Sequence, residues 1–250
     1  MKKNQMHKKI IWIIGGTSGI GLASALRFHS DGHQVIVSGR SNKNLNVLDT
    51  KEIYYEQIDA EKKDSFFQAG KNVASNFGYI DTLFLNIGTC EYIDIKNFNS
   101  DIFKLLMEVN FMSMIYGIEI GLPLLRRSKM PHLVGMSSTV GYLGLPKASA
   151  YSASKAAIYN LLESLRIDLL PEKIPVSIIC PGFVKTPLTD RNTFKMPGII
   201  SSEKAAEYIV KGIYNKDYVI EFPKWFAFIA KFLAALPNTF TLSILSKMSS

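Results

Sequence analysis

The sequence predicts an α/β fold: a doubly wound, mostly parallel sheet of seven strands with helices on both faces, followed by an apolar helical tail. Three observations predict it. From residue 10 to residue 222, short apolar runs alternate with amphipathic stretches of helical length. Strands that alternate with helices imply a parallel sheet covered on both sides. A glycine-rich loop joins the first apolar run to the first helical stretch, and neither an internal repeat nor a long polar linker divides the chain, so residues 1–250 read as one domain.

Composition narrows the classes. The chain is 47% hydrophobic and 20% charged with 17 Gly and 10 Pro, which excludes disorder, collagen and coiled coil. Two cysteines, Cys90 and Cys180, exclude a disulfide scaffold and a Cys-based zinc site. His7, His29, His33 and His132 lack ligand spacing, so no metal site is expected. The net charge of +8 sits at the ends: Lys2, Lys3, Lys8 and Lys9 supply +4, Lys224, Lys231 and Lys247 supply +3, and 22 basic residues face 21 acidic ones between 10 and 221. A nucleic-acid partner would call for a basic face within the fold, so none is expected. Basic ends suit a membrane-surface contact or simple solubility.

The elements follow in order. The first strand is 10–14, Ile10-Ile11-Trp12-Ile13-Ile14, behind the basic extension 1–9. Five apolar residues are too few for a signal-peptide core of roughly 7–15, so this is read as a buried strand and the protein as cytoplasmic. Further strands are read at 34–38, 54–58, 82–85, 133–137, 176–180 and 218–222. Helical patterns cover 20–28, 64–77, 100–125, 151–170 and 203–214. In a sheet wound this way, ligands sit at the carboxyl ends of the strands.

Gly15-Gly16-Thr17-Ser18-Gly19-Ile20-Gly21 lies directly after the first strand and opens a helix. In dinucleotide loops one glycine makes the turn, one lets main chain approach the pyrophosphate, and one lets helix and strand pack closely. The pyrophosphate then meets a positive helix N-terminus. Gly15, Gly19 and Gly21 are the key glycines, with Thr17, Ser18 and Ile20 between them. The second strand ends Val37-Ser38-Gly39-Arg40-Ser41. An NAD site wants a carboxylate near this end for the ribose hydroxyls. Here Gly39 is followed by a guanidinium, which suits a 2′-phosphate, with Ser38 and Ser41 as further donors; NADP(H) is therefore expected over NAD(H).

Ser138 precedes Tyr151 by 13 residues, and Tyr151-Ser152-Ala153-Ser154-Lys155 opens a helix. Tyr and Lys at i and i+4 share one helix face. A free phenol, with a pKa near ~10, is a poor base at neutral pH. A nearby ammonium favours phenolate, and so does an oxidised nicotinamide ring. Tyr151 can then exchange a proton with a carbonyl or alcohol oxygen, and Ser138 can hydrogen-bond the same oxygen.

Together these motifs resemble the short-chain dehydrogenase/reductase family over residues 10–222. The glycine spacing is similar to that family's Thr-Gly-x-x-x-Gly-x-Gly, with Ile14 in place of Thr. The resemblance implies a Rossmann-type fold and further roles. Asp59, followed by Ala60, would contact the adenine. Asn86 and Gly88 match two positions of the family's Asn-Asn-Ala-Gly, with Leu85 and Ile87 as departures. Asn110 matches a catalytic Asn that supports a water-linked proton relay through the Lys, and Lys155 would hold the nicotinamide ribose. Pro181-Gly182 would meet the carboxamide, with Val184 and Thr186 as cofactor contacts.

The segment 187–201, with Leu188, Phe194, Met196, Ile199 and Ile200, reads either as a lid for an apolar substrate or as an exposed loop. Residues 225–236 are apolar except for Lys231, too short a run to span a bilayer, in the basic tail 224–250. The tail is read as lying in a membrane interface, packing on its own fold, covering the pocket or joining subunits. Ala156, Ala157, Leu161, Leu162 and Leu165 on the helix from Tyr151 suggest a homo-oligomer, dimer or tetramer, as in family members that pair through this helix. The expectation is an NADP(H)-dependent oxidoreductase acting on a hydrophobic carbonyl compound or secondary alcohol. The alternative is a non-catalytic dinucleotide sensor or membrane-recruited scaffold on the same fold.

Overall fold

A computed structural model describes residues 7–40 and 45–246. Ser41, Lys2, Lys3 and Lys247 lie outside the described residues. The strands are β1 (Ile10–Ile14), β2 (Gln34–Gly39), β3 (Tyr54–Gln57), β4 (Thr82–Leu85), β5 (His132–Met136), β6 (Val176–Pro181) and β7 (Val219–Phe222). All seven expected strands are present, with ends displaced by at most one residue. They form one parallel sheet in the order β3-β2-β1-β4-β5-β6-β7. The order reverses between β1 and β4, and that switch opens a crevice at the carboxyl ends.

The helices are α1 (Gly19–Ser30), α2 (Leu45–Asp49), α3 (Lys63–Phe77), α4 (Ser100–Leu106), α5 (Ser113–Leu125), α6 (Ser149–Asp168), α7 (Ser202–Asn215), α8 (Lys224–Ala235) and α9 (Asn238–Ser246). Side chains alternate across a strand, so β1 feeds two cores. Trp12 and Ile14 pack with Phe66 of α3, Ile118 of α5 and Ile158 and Leu162 of α6. Ile11 and Ile13 pack with Phe28 of α1 and Ile209 and Ile213 of α7. Each such buried side chain contributes about 1.5–3 kcal/mol, which is why an uninterrupted apolar run forms the central strand.

Two helical features depart from expectation. The stretch 100–125 is not one regular helix: a π turn over Met107–Met112 separates α4 from α5. The wider turn accommodates an extra residue and turns Asn110 inward, a preference no periodicity reports. By length and composition Ser100–Leu125 would suffice to cross a membrane, but Ile118, Leu124 and Leu125 are buried in the core. α2 was not expected, because five residues are too few to display a helical period.

The tail folds as two helices. Ala227, Thr241 and Leu245 are buried, and Lys231 pairs with Glu221 of β7 at 2.6 Å, so the tail's inner side packs on its own fold. Phe228, Phe232, Phe240 and Leu242 remain exposed. Because all strands run parallel, β1 begins at the amino ends of the strands and β7 finishes at their carboxyl ends. The residues before β1 and the tail therefore leave the sheet at opposite ends of its strands.

Candidate active site

The crevice has a volume of ≈ 540 Å³ and runs from the end of β2, past the glycine-rich loop, to the ends of β5 and β6. Gly15, with φ of +90°, makes the first turn; a Cβ there would lie 2.8 Å from the Asn86 carbonyl carbon. Asn86 holds this turn from β4 by donating Nδ2–H to the Gly15 carbonyl at 2.8 Å. Gly21 does not line the crevice; a Cβ on it would overlap the Gly15 carbonyl oxygen, so it serves the close packing of α1 on the loop. Ser18, the N-cap of α1, makes no side-chain cap, and Ser18, Gly19 and Ile20 line the crevice. The uncapped, positive end of a helix facing a cleft suits a pyrophosphate, and on this ground the residues present fit a dinucleotide.

At the β2 end, Arg40 and Ala60 line the crevice. Ser38 corrects the expectation for it. Its hydroxyl accepts a hydrogen bond from Trp12 Nε1 at 2.9 Å, in a fully buried position, and does not reach the crevice. The buried indole N–H needs an acceptor, and Ser38 supplies it. What Ser38 gives the loop is its carbonyl, which accepts from Gly15 N–H at 2.7 Å and Gly16 N–H at 3.0 Å. Asp59 also stands back from the crevice: its carboxylate accepts from the Glu61 N–H at 3.2 Å and lies 3.6 Å from Lys62. Glu61, unremarked in the sequence, lines the crevice instead.

At the other end, Ser138, Tyr151 and Lys155 come together. Tyr151 and Lys155 lie in the first turns of α6, and the Lys155 Nζ is 5.7 Å from the centre of the Tyr151 ring. Lys155 is 2% exposed and donates to the Met136 carbonyl at 3.1 Å. Burial lowers its pKa to about 8, against smaller raising effects of Cys180 and Cys90. Burial pushes the Tyr151 phenol above its ordinary value, Cys90 and Tyr92 add to this, and a hydrogen bond with Ser138 draws it back. In the chain by itself, burial and not the adjacent ammonium sets the direction of the phenol's shift. Ser138 is held by a donated bond to the Pro181 carbonyl at 3.4 Å and an accepted one from Val140 N–H at 3.3 Å.

Asn110 is fully buried and does not line the crevice. Its Oδ1 accepts from Thr89 N–H at 2.7 Å, and its Nδ2 donates to the Thr89 carbonyl at 3.0 Å and to Ser154 Oγ at 2.9 Å. It ties the loop after β4 to α6. Gly88 fits where a Cβ would be 3.2 Å from Lys155 Nζ and 3.5 Å from Asn110 Oδ1.

Pro181, Gly182, Val184 and Thr186 line the crevice beside this cluster. The start of the segment 187–201 borders it: Pro187, Leu188, Thr189 and Arg191 line it, Arg191 pairs with Glu91 at 3.6 Å, and Asn192 Oδ1 accepts from Tyr92 OH at 3.0 Å. Tyr92 meets Phe194, which meets Phe183, which meets Phe226 of α8, with ring centres 5.7, 6.0 and 5.7 Å apart. Local spacing singles out neither Tyr92 nor Phe183, because their ring partners Phe194 and Phe226 lie about 100 and 40 residues away.

The comparisons agree with this geometry. Residues 9–196 match the family model described as short chain dehydrogenase. An uncharacterized oxidoreductase of Myxococcus xanthus is 30% identical over 240 residues, covering 94% of this chain and 95% of that protein. An NADP-dependent (R)-specific alcohol dehydrogenase of Lentilactobacillus kefiri is 27% identical over 195 residues, covering 75% and 77%. A short-chain dehydrogenase/reductase from Burkholderia phymatum, solved in complex with NAD, superposes with a TM-score of 0.82 at 21% identity, over 90% of this chain and 92% of that one. A seven-stranded parallel sheet, a glycine-turn crevice and a match over most of the chain place this protein in the short-chain dehydrogenase/reductase family of oxidoreductases, whose members bind a nicotinamide dinucleotide.

Proposed function

We propose that the protein is an NADP(H)-dependent oxidoreductase that interconverts a carbonyl and a secondary alcohol on a hydrophobic substrate. The observation that carries this is the convergence of Tyr151, Ser138 and Lys155 at one end of the crevice. The bound cofactor supplies or accepts the hydride at the reacting carbon. The Tyr151 hydroxyl donates its proton to the carbonyl oxygen in reduction and takes it from the alcohol in oxidation. Ser138 Oγ hydrogen-bonds that oxygen and holds it against the phenol. Lys155 would hold the ribose hydroxyls of the cofactor, and its ammonium favours the phenolate against the desolvation that raises Tyr151. Asn110 fixes the Thr89 main chain beside Lys155 and so positions the wall of the cleft.

Arg40 supports NADP(H), since it lines the β2 end where the adenosine ribose lies in such folds and its guanidinium suits a 2′-phosphate. Leu105, Val109 and Leu188, which line the crevice, support an apolar substrate, and the rings of Tyr92, Phe183, Phe194 and Phe226 form an apolar cluster joined to the segment 187–201. The test is a cofactor-oxidation screen over ketones, aldehydes and long-chain keto compounds, with Tyr151→Phe as the control. Turnover should fall by ~10²–10⁴-fold in the variant while NADPH affinity changes by less than about twofold. An unchanged rate would remove Tyr151 from the reaction. NADPH binding without turnover of any carbonyl by the unaltered protein would favour the sensor reading.

A further inference from the structure

Arg40 does not face the crevice alone. Its Nη1 lies 3.4 Å from Glu61 Oε1, with the two side chains 74% and 51% exposed. Both line the crevice. Among the described residues that do so, Glu61 is the one carboxylate, against the cations Arg40, Lys155 and Arg191. The end of β2, where a ribose-binding carboxylate would stand, holds Gly39, and a Cβ there would lie 2.5 Å from Thr17 Oγ1 and require Thr17 to shift. The carboxylate at this end therefore comes from the turn after β3.

That turn is fixed. Glu61 N–H donates to Asp59 Oδ1 at 3.2 Å, Asp59 N–H donates to Ser65 Oγ at 3.0 Å, and Ser65 Oγ donates back to the Asp59 carbonyl at 2.9 Å. The main chain thus keeps the Glu61 side chain beside Arg40. A 2′-phosphate and a carboxylate cannot both hold one guanidinium without repelling each other, and the phosphate brings close to two negative charges. A free 2′-hydroxyl has the opposite need, because it donates a hydrogen bond and a carboxylate accepts it.

We propose that Glu61 is a cofactor-selecting residue: it competes with the 2′-phosphate of NADP(H) for Arg40 and accepts from the ribose hydroxyl of NAD(H). It narrows the preference that Arg40 creates and keeps NAD(H) usable as a second cofactor. This rests on the reading of Arg40 as the 2′-phosphate ligand. Both side chains are well exposed, so the effect is moderate and screened by salt.

Calorimetric titration of the full-length protein with NADPH and with NADH tests it without reference to turnover. Glu61→Gln should bind NADPH ~3–10-fold more tightly and NADH ~2–5-fold more weakly, with the gain shrinking in 0.5 M salt, roughly a three-angstrom to five-angstrom screening length. Arg40→Ala should lose ~10–100-fold in NADPH affinity and change NADH by less than about twofold. If Glu61→Gln moves both cofactors by the same factor, or neither, while Arg40→Ala keeps its selective loss, Glu61 is only a surface ion-pair partner and the proposal falls with the Arg40 reading intact. If Arg40→Ala weakens both cofactors equally, the Arg40 reading fails and takes the proposal with it. Unchanged melting temperatures in both variants exclude misfolding as the source of either result.

Discussion

The end of the crevice between β1, β2 and α1 is shaped by a glycine turn held by main-chain groups, whereas the end between β5, β6 and α6 is shaped by reactive side chains. At the first end Gly15 turns with φ of +90°, Asn86 and the Ser38 carbonyl hold the turn, and the uncapped start of α1 faces inward. At the second end a phenol, an amine and a hydroxyl, carried by two separate segments, meet. The difference teaches where each kind of requirement is written. A main-chain wall admits no Cβ, so its residue types and spacing are dictated locally. A side-chain wall can be assembled from distant segments, and only some of its members leave a local trace.

The contrast can be broken most severely at the main-chain end. Gly15→Ala places a Cβ 2.8 Å from the Asn86 main chain at a positive φ. It should cost about 1–3 kcal/mol of stability and take dinucleotide binding below detection, read by thermal melting and calorimetry. Retention of both would show that the turn is not the rigid element described here.

A smaller effect is expected at the side-chain end, from pH. Burial holds Lys155 down to about 8, so its ammonium is present below that pH and lost above it. Dinucleotide affinity should fall by about tenfold between pH 7 and pH 9, and Lys155→Met should flatten the profile. The same shift has a stability sign. Between about 8 and the ordinary value of 10.5 the unfolded chain binds a proton the fold has released, so this group's contribution to stability rises with pH. A pH-independent affinity in the unaltered protein would mean that Lys155 does not hold the cofactor.

The smallest effect sharpens the comparison at the segment 187–201. Phe194→Ala should raise KM for bulky apolar carbonyl compounds by about three- to tenfold, with kcat and NADPH affinity unchanged. An equal rise for small and bulky substrates would place Phe194 outside the substrate wall.

Much of the fold was legible because strands buried on both faces must be continuous apolar runs, and all seven strands lie within a residue of their expected limits. Two site residues show the limit. Ser38 reads as a donor beside Arg40, but which face of β2 it occupies, and that Trp12 needs an acceptor there, depend on the neighbouring strand. Glu61 reads as an ordinary surface acid until the turn after β3 is set against the end of β2. The π turn at Asn110 is likewise invisible to a helical period, since it is stabilised by Thr89, 21 residues earlier.

By itself the sequence determined the sheet, the glycine turn and the Tyr151–Lys155 pairing on one helix face, because each follows from steric rules acting over a few residues. Tertiary structure alone decided that burial raises the Tyr151 phenol, that a carboxylate answers Arg40, and that the tail's lysine turns back to Glu221. Those outcomes depend on burial and on distances between groups far apart in the chain, and electrostatic energies are governed by both.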